Sequence, residues 1–318
     1  MVKQILFWLE NSRVFSLPMT LMSWLVVFVY ALKLHGNILN GIIALIGISM
    51  AHLATNLFDD YVDYKVLCKD EKFLSSAQKC KCEYIKSGKA SLNDLLCVVI
   101  FYCSIAVLTG IFLLFRTGMP VLWLALIGGI ITLLYARLSL VGMSEIAVGI
   151  AFGPLLFEGV YYVMMKNFST NVLIMSLAVV MFTIGLLYTH TLLDYDGDMT
   201  SHKKTLCCMI GDKYSALKVL WFIYLLGYFM IGILAIKTGK YSLFWTYLTM
   251  PLALKLYGYM KSYNEDKTTL PDVHWYNYPL DNWKCLKKEP VAPFYFRLFQ
   301  ARNIMIYFCL ILTFVMLS

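Results

Sequence analysis

Long apolar runs separated by shorter polar segments make up most of the chain. The runs lie at about 15–35, 38–58, 92–115, 119–138, 143–165, 171–193, 216–236, 241–260 and 299–317. Each is close to the length of about 20 residues that an α-helix needs to cross the hydrocarbon core of a bilayer. The pattern predicts an all-α, polytopic membrane protein with about nine transmembrane helices in a bundle.

Composition supports the same fold class. The chain has 318 residues, of which 60% are hydrophobic and only 14% are charged. A soluble domain carries about 25% charged residues, and a disordered chain is rich in charge, so both classes are excluded. We expect an integral, multi-pass protein that contacts membrane lipid, binds no nucleic acid and forms one domain over 1–318. The sequence gives no signal for an oligomeric state.

Basic residues sort to one side of the predicted bundle. If the N-terminus and the loops after the even-numbered runs share a side, 22 of the 27 Lys and Arg residues lie there. The five on the opposite side are Lys33, Arg116, Lys166, Lys237 and Lys240. The positive-inside rule makes the basic side cytoplasmic. We therefore expect a bacterial cell-membrane protein whose active-site loops, at about 59–91 and 194–214, face the cytoplasm. A further polar loop, at about 261–297, is expected on the same side.

Two acidic clusters stand at the predicted cytoplasmic ends of the second and sixth runs, with the sequences DDYVD at 59–63 and DYDGD at 194–198. On a helix, residues four positions apart share one face, so each cluster directs two carboxylates the same way. Like charges repel strongly at a low-dielectric boundary, so such pairs indicate a bound cation. A few carboxylate oxygens, with room for water and phosphate, suit Mg²⁺. The predicted magnesium ligands are Asp59, Asp60, Asp63, Asp194 and Asp198.

Lysines follow each acidic cluster along the chain. Lys65 and Lys86 follow the first cluster, and Lys203 and Lys204 follow the second. Lysines near a bound phosphate neutralise the charge that grows on it as it leaves. His190, one turn before the second cluster, either joins the site or makes a structural hydrogen bond. The residues predict a polyanion bound by metal and lysine at the membrane surface, with an apolar chain inside the bundle.

These motifs resemble those of the UbiA superfamily of intramembrane prenyltransferases. The first acidic cluster is similar to the family's Asn-Asp-x-x-Asp motif, and Asp194–Thr205 (DYDGDMTSHKKT) is similar to its second motif. Arg13-x-x-Ser16-x-Pro18 and Lys86-Ser87-Gly88 resemble two further family elements. The segment Gly142–Leu155 (GMSEIAVGIAFGPL) is typical of the dihydroxynaphthoate polyprenyltransferases of the menaquinone branch. The chain departs from the pattern at Asp59, where the family usually has Asn.

The resemblance implies a reaction and roles for its residues. Mg²⁺ held by the two motifs would bind the diphosphate of a prenyl diphosphate donor. An electron-rich ring carbon of an aromatic acceptor would then attack the allylic carbocation, releasing pyrophosphate. The implied catalytic residues are Asp60, Asp63, Asp194, Asp198 and His190. The diphosphate-binding residues that we expect are Arg13, Lys65, Lys86, Lys203 and Lys204.

Two other functions stay open. A UbiA-type terpene cyclase would use the same metal–diphosphate site without an acceptor. A secondary transporter is the alternative of another class, but transporter sites lie near the bilayer midplane. Glu158 is the only acid placed that deeply in the predicted spans. The sequence therefore favours prenyl transfer.

Overall fold

The structure, a computed structural model, describes residues 2–67, 82–200 and 204–317. Within these ranges the chain is helical apart from connecting loops, and it contains no β-strand. The α-helices are α1 Val2–Asn11, α2 Pro18–Lys33, α3 Ile38–Leu67, α4 Glu83–Lys86, α5 Leu92–Thr117, α6 Pro120–Leu140, α7 Ser144–Ile150, α8 Leu156–Met165, α9 Thr170–Leu193, α10 Tyr195–Thr200, α11 Leu206–Ile210, α12 Lys213–Thr238, α13 Met250–Glu265, α14 Trp283–Leu286 and α15 Ala292–Leu317. The predicted all-α architecture is confirmed.

Eight helical segments in these ranges are long and apolar enough to cross a membrane. They are Val14–Lys33, Ile38–Lys65, Leu92–Thr117, Pro120–Leu140, Ser144–Met165, Thr170–Leu193, Lys213–Thr238 and Ala292–Leu317. The ninth predicted run, 241–260, forms a 3₁₀ segment, Tyr241–Thr249, that continues into α13. Pro251 lies in the first turn of α13, where the missing N–H removes no helical hydrogen bond. The protein is an integral, multi-pass membrane protein.

Apolar side chains cover much of the outer surface of the bundle. Phe115, Phe314 and Ile236 are 86, 73 and 72% exposed, and they lie on three different spans. Apolar exposure on this scale is unfavourable in water and is expected where a protein contacts another apolar phase. These faces therefore contact lipid.

One helix, α2, packs against both of the spans that carry the acidic clusters. α3 packs mainly against α5, whereas α9 packs mainly against α12 and α15. α2 contacts both α3 and α9, and also packs against α8 and α15. Because α3 and α9 are four spans apart, they run in the same direction. Their C-terminal ends, with the acidic clusters, are therefore on the same side of the membrane.

The fifth span is broken in its middle. A π-helical segment, Ala151–Leu155, separates α7 from α8, and Gly153 within it has non-helical dihedral angles. Pro154 contributes no backbone N–H, which explains why regular α-helical pairing fails at this point. A side chain at position 153 would place its Cβ 3.1 Å from Cβ of Val180 on α9. The break leaves the ring of Phe152 in edge contact with His52 of α3, 5.2 Å between ring centroids.

A separate hydrophobic cluster supports the end of α3. The rings of Phe7 and Trp8 on α1 each lie 6.0 Å from the ring of Tyr84 on α4, in edge-to-face geometry. Leu53 and Leu57 of α3 are buried in the same cluster. α1 is therefore attached to the bundle beside the first acidic cluster, while its other face exposes apolar residues such as Leu6.

The polar segments are more helical than predicted. The segment predicted as a loop from residue 59 begins as the last turns of α3, because the helix continues to Leu67. The predicted loop at 194–214 contains α10 and α11, and the polar loop before the last span is confined to 266–291. Arg297, fully buried, donates hydrogen bonds to the carbonyl oxygens of Tyr259, Thr269 and Pro293 at 2.6, 3.0 and 2.8 Å. The bonds to Tyr259 and Thr269 attach α15 to α13 and to the first residues of the polar loop.

Candidate metal and diphosphate site

Three carboxylates are buried together near the end of α3. Asp59, Asp60 and Asp63 are 5, 3 and 4% exposed. Asp59 and Asp63 lie about one helical turn apart in α3, as their spacing in the sequence predicts. Burying several negative charges is costly unless cations compensate them. This end of α3 therefore has the charge required to hold a cation.

Arg13 supplies part of that compensation. Its Nη1 lies 3.4 Å from Oδ2 of Asp59, and its Nη2 donates a hydrogen bond to Oδ1 of Asp60. Arg13 stands in the turn between α1 and α2, with a left-handed backbone at φ 60° and ψ 49°. Burial lowers the pKa of Arg13, but the negative charges of Asp60 and Asp59 outweigh burial and raise it above its usual range. Arg13 is therefore a permanent cation at this site.

Tyr84 contacts the same cluster from α4. Its hydroxyl donates to Oδ2 of Asp60 at 3.2 Å, and the thiol of Cys82 donates to the backbone carbonyl of Asp60 at 3.3 Å. Burial, with the negative charge of Asp60 as a second cause, raises the pKa of Tyr84. Tyr84 therefore remains a neutral hydrogen-bond donor. One carboxylate, that of Asp60, thus accepts hydrogen bonds from two different segments.

The second acidic cluster lies where α9 passes into α10. Asp194 follows the last residue of α9, and the N–H of Asp198 donates to the carbonyl oxygen of Asp194 at 2.9 Å, as in a helical turn. Asp198 is buried, at 4% exposure, whereas the side chain of Asp196 is 44% exposed. Of these two acids, Asp198 is therefore the one removed from solvent.

Asp196 is an anchor for two neighbouring segments. Nζ of Lys213, at the start of α12, and Nζ of Lys267, in the polar loop, each lie 2.6 Å from its carboxylate. Burial raises the pKa of Asp196, but the hydrogen bonds from Lys213 and Lys267 outweigh burial and hold the pKa below its usual value. The polar loop and α12 are therefore both tied to the segment that carries the second cluster.

His190 is adjacent to the second cluster. Its Nδ1 lies 3.5 Å from Oδ2 of Asp194, and nearly half of the histidine side chain is exposed. The ring of Phe294, from the first turn of α15, makes an edge contact with the imidazole at 5.7 Å between centroids. The structure therefore brings His190 and Asp194 together, as the spacing predicts.

The predicted lysines differ in their surroundings. Lys65 folds back on its own helix, where its ammonium contacts the Tyr61 hydroxyl and lies 4.3 Å from the centre of that ring. Lys86 and Lys204 are exposed. Lys203 lies outside the described residues. Among the predicted diphosphate-binding residues, Arg13 is the one seen against the acidic clusters in the described part of the chain.

Two polar residues of α3 were missed by the sequence analysis. His52 and Asn56 lie on the same helical face as Asp60 and Asp63, at intervals of four, four and three residues. Asn56 donates to the carbonyl oxygen of Ser12 at 3.0 Å, next to Arg13. The regular spacing within an otherwise apolar span was the signal that could have identified them.

The chemistry of these donors fits Mg²⁺. All five predicted ligands are carboxylates, the hard oxygen donors that this ion prefers. In the described residues no three His, Cys, Asp or Glu side chains converge into a ready-made metal site. Mg²⁺ commonly uses only one or two carboxylates and completes its coordination with water and phosphate oxygens. Two carboxylate groups on separate helices therefore suit an ion that arrives together with a phosphate-bearing ligand.

Residues 17–276 match the UbiA prenyltransferase family. The chain belongs to this family. A search of curated proteins gives no match. The matched UbiA region includes both acidic clusters, whereas Arg13 and α15 lie outside it.

Solved UbiA structures share the fold. A digeranylgeranylglyceryl phosphate synthase has 14% identity and a TM-score of 0.63, with 99% of both chains covered. A UbiA homologue from Aeropyrum pernix has 16% identity and a TM-score of 0.63 over 90% of this chain and 94% of its own. A UbiA homologue from Archaeoglobus fulgidus bound to GPP and Mg²⁺ has 11% identity and a TM-score of 0.56, over 94% of this chain and 99% of its own. At these identities the likeness shows the fold.

Proposed function

We propose that this UbiA-family protein transfers an isoprenyl chain from a prenyl diphosphate to an aromatic acceptor with the help of Mg²⁺. The observation that carries the proposal is the pair of acidic clusters at the equivalent ends of α3 and α9, with Arg13 against the first. The Archaeoglobus fulgidus homologues bound to GPP or DMAPP with Mg²⁺ support this assignment.

Mg²⁺ would be held by the carboxylates of the two clusters, namely Asp59, Asp60, Asp63, Asp194 and Asp198. When bound, it supplies positive charge that stabilises the departing diphosphate. Arg13 adds a guanidinium whose fork of N–H donors matches phosphate oxygens as well as carboxylates. We assign Lys86, Lys203 and Lys204 to contacts with the outer side of the same diphosphate. Lys65 would also contact the diphosphate after its ammonium moves away from Tyr61.

The remaining chemistry concerns the ring of the acceptor. Breaking the C–O bond of the donor leaves an allylic cation, and the new C–C bond leaves the attacked ring carbon with one proton in excess. We assign the removal of that proton to His190, because a neutral imidazole is a suitable base near pH 7. Asp194, 3.5 Å away, would stabilise the imidazolium that results. The apolar spans exclude water from the cation.

The acceptor and the location are finer parts of the proposal. The segment Gly142–Leu155 supports an acceptor of the dihydroxynaphthoate type, as in the menaquinone branch. The excess of basic residues on the side of the clusters supports a cytoplasmic orientation in a bacterial cell membrane. The polar loop at 266–291 and the loops around α4 and α10 would then face the cytoplasm.

The test is incubation of the purified protein with Mg²⁺, a panel of prenyl diphosphates and a panel of acceptors, with products identified by mass spectrometry. Because one similar structure is a digeranylgeranylglyceryl phosphate synthase, a glyceryl phosphate acceptor belongs in the panel beside hydroxylated aromatics. We expect acceptor-dependent release of pyrophosphate. Replacing Asp63 or Asp194 by Asn should lower the rate by about 100-fold or more.

Matched controls separate this function from its alternatives. Asp272→Asn, an exposed carboxylate in the polar loop, should leave the rate unchanged. A cyclic hydrocarbon formed without any acceptor would establish the terpene cyclase instead. Movement of an unmodified ion or metabolite into liposomes, with no prenylated product, would establish a transporter.

A further inference from the structure

The polar face of α3 extends below the first acidic cluster into the membrane span. Asn56 and His52 lie one and two turns before Asp60, which places His52 about 12 Å deeper along the helix. Polar side chains at such depth are unfavourable unless they are hydrogen-bonded. Their partners all come from one short segment, 12–20, which contains the turn around Arg13.

His52 uses both ring nitrogens. Its Nδ1 lies 2.7 Å from Oγ1 of Thr20, and its Nε2 lies 3.1 Å from Oγ of Ser16. Oγ of Ser16 donates its single hydrogen to the carbonyl oxygen of Arg13 at 2.8 Å. Ser16 must therefore accept from His52, which fixes the proton of the neutral imidazole on Nε2. Nδ1 is then the acceptor of the Thr20 hydroxyl.

Asn56 completes the network around the same turn. Its Nδ2 donates to the carbonyl oxygen of Ser12 at 3.0 Å and to Oγ of Ser16 at 3.1 Å. The carbonyl groups of Ser12 and Arg13 thus both accept hydrogen bonds from side chains. The donor to Ser12 is Asn56 of α3, and the donor to Arg13 is Ser16, which His52 of α3 holds. This matters because a non-glycine residue rarely adopts a left-handed backbone unless its surroundings stabilise it. Arg13 keeps that conformation because these bonds stabilise it.

We propose that His52 is a positioning residue for the diphosphate site: through Ser16 it holds the turn at Arg13 so that the guanidinium stays against Asp59 and Asp60. The inference rests on the proposed function, which assigns Arg13 to the diphosphate. A side chain fixed before its ligand arrives loses less freedom on binding, so the affinity of the site is higher. The network thus connects a histidine deep in the span to an arginine at the membrane surface.

Two substitutions of similar size distinguish the two hydrogen bonds. The Gln amide can donate to Ser16 from the position of Nε2, whereas Asn reaches only the position of Nδ1, next to Thr20. His52→Gln should therefore retain the function of the network, and His52→Asn should lose it. Thr55→Val is the control, because the Thr55 hydroxyl bonds to the carbonyl oxygen of Ala51 and to Thr132 of α6.

The readout is binding of inorganic pyrophosphate to the purified protein at fixed Mg²⁺, measured by calorimetry. We expect His52→Asn to weaken binding by about 10-fold, the scale seen when a supporting partner outside the contact shell is lost. His52→Gln and Thr55→Val should bind like the unaltered protein. In an Arg13→Gln background, His52→Asn should cause no further loss, because both substitutions act on the same group.

Either of two results would overturn the proposal. One is equal binding by the Asn and Gln variants; the other is a full additional loss in the Arg13→Gln background. Thermal unfolding of each variant shows whether a loss of binding reflects misfolding instead. If the expected binding pattern is found but no acceptor in the panel is prenylated, the positioning role stands and the proposed reaction fails.

Discussion

The ammonium of Lys267 lies 2.6 Å from the carboxylate of Asp196, and this contact joins the polar loop to the second acidic cluster. Lys213 binds the same carboxylate from α12. The loop at 266–291 is therefore attached to the segment that carries Asp194 and Asp198, in addition to its attachment through Arg297. Both ions of the Lys267 contact are about half exposed, so its effect should be local.

The first prediction concerns this contact. Asp196→Asn should change the free energy of unfolding by less than about 1 kcal/mol, because exposed ion pairs contribute little. It should nevertheless increase amide hydrogen exchange in 266–291, since one attachment of the loop is lost. Asp272→Asn, in the same loop, is the control. If exchange in the loop rises equally in both variants, the Asp196 contact does not hold the loop.

The second prediction concerns Arg13. Arg13→Gln leaves Asp59 and Asp60 buried without their guanidinium, and removing one partner of a buried pair costs about 3–5 kcal/mol. The Tm in the presence of a chelator should fall. Mg²⁺ should raise the Tm of the variant more than that of the unaltered protein, because the ion replaces the missing charge. Equal shifts with Mg²⁺ would show that the ion does not bind near these acids.

A third prediction tests Tyr84. Tyr84→Phe removes the hydrogen bond to Asp60 while keeping the aromatic contacts with α1. Hydrogen bonds to a charged group contribute about 1.5–3 kcal/mol, so thermal unfolding should show a clear loss of stability. Tyr214→Phe changes an exposed hydroxyl at the start of α12 and should be neutral. A Tyr84→Phe variant as stable as Tyr214→Phe would contradict the expected contribution.

The fourth prediction uses two glycines of the fifth span. Gly153→Ala brings a Cβ within 3.1 Å of Val180 and should cost about 1–3 kcal/mol through overpacking against α9. Gly159→Ala, in α8, meets no atom within 4 Å and should be neutral or slightly stabilising, since Ala favours helix. The two Tm values measured in the same detergent provide the comparison. A lower Tm for Gly159→Ala than for Gly153→Ala would disprove the packing argument.

Hydropathy predicted the spans well because a bilayer imposes length and apolarity on every helix. It placed the end of α3 too early, at residue 58, because hydropathy falls at Asp59 although the helix continues to Leu67. It also missed the π-helical break at Gly153, although Pro154 removes a backbone N–H there. Hydropathy reports the surroundings of a segment and not its backbone conformation.

The site was predicted in part for a similar reason. Both acidic clusters follow from local spacing, and His190 was expected beside Asp194. Arg13 came from resemblance alone, because nothing near it in the chain indicates that it contacts residues 46 and 47 positions later. His52 was missed because its partners Ser16 and Thr20 belong to another helix and its turn. Long-range pairing of this kind requires the folded arrangement.

The spans have polar ends and apolar sides, and this arrangement affects where each product of the proposed reaction is released. Pyrophosphate is a multiply charged ion, and the acidic clusters that would bind it lie at the aqueous edge of α3 and α9. A prenylated product would carry a hydrocarbon chain and stay dissolved in lipid beside the exposed apolar faces of the spans. The two products would therefore leave into different phases, and this partitioning alone would suppress the reverse reaction.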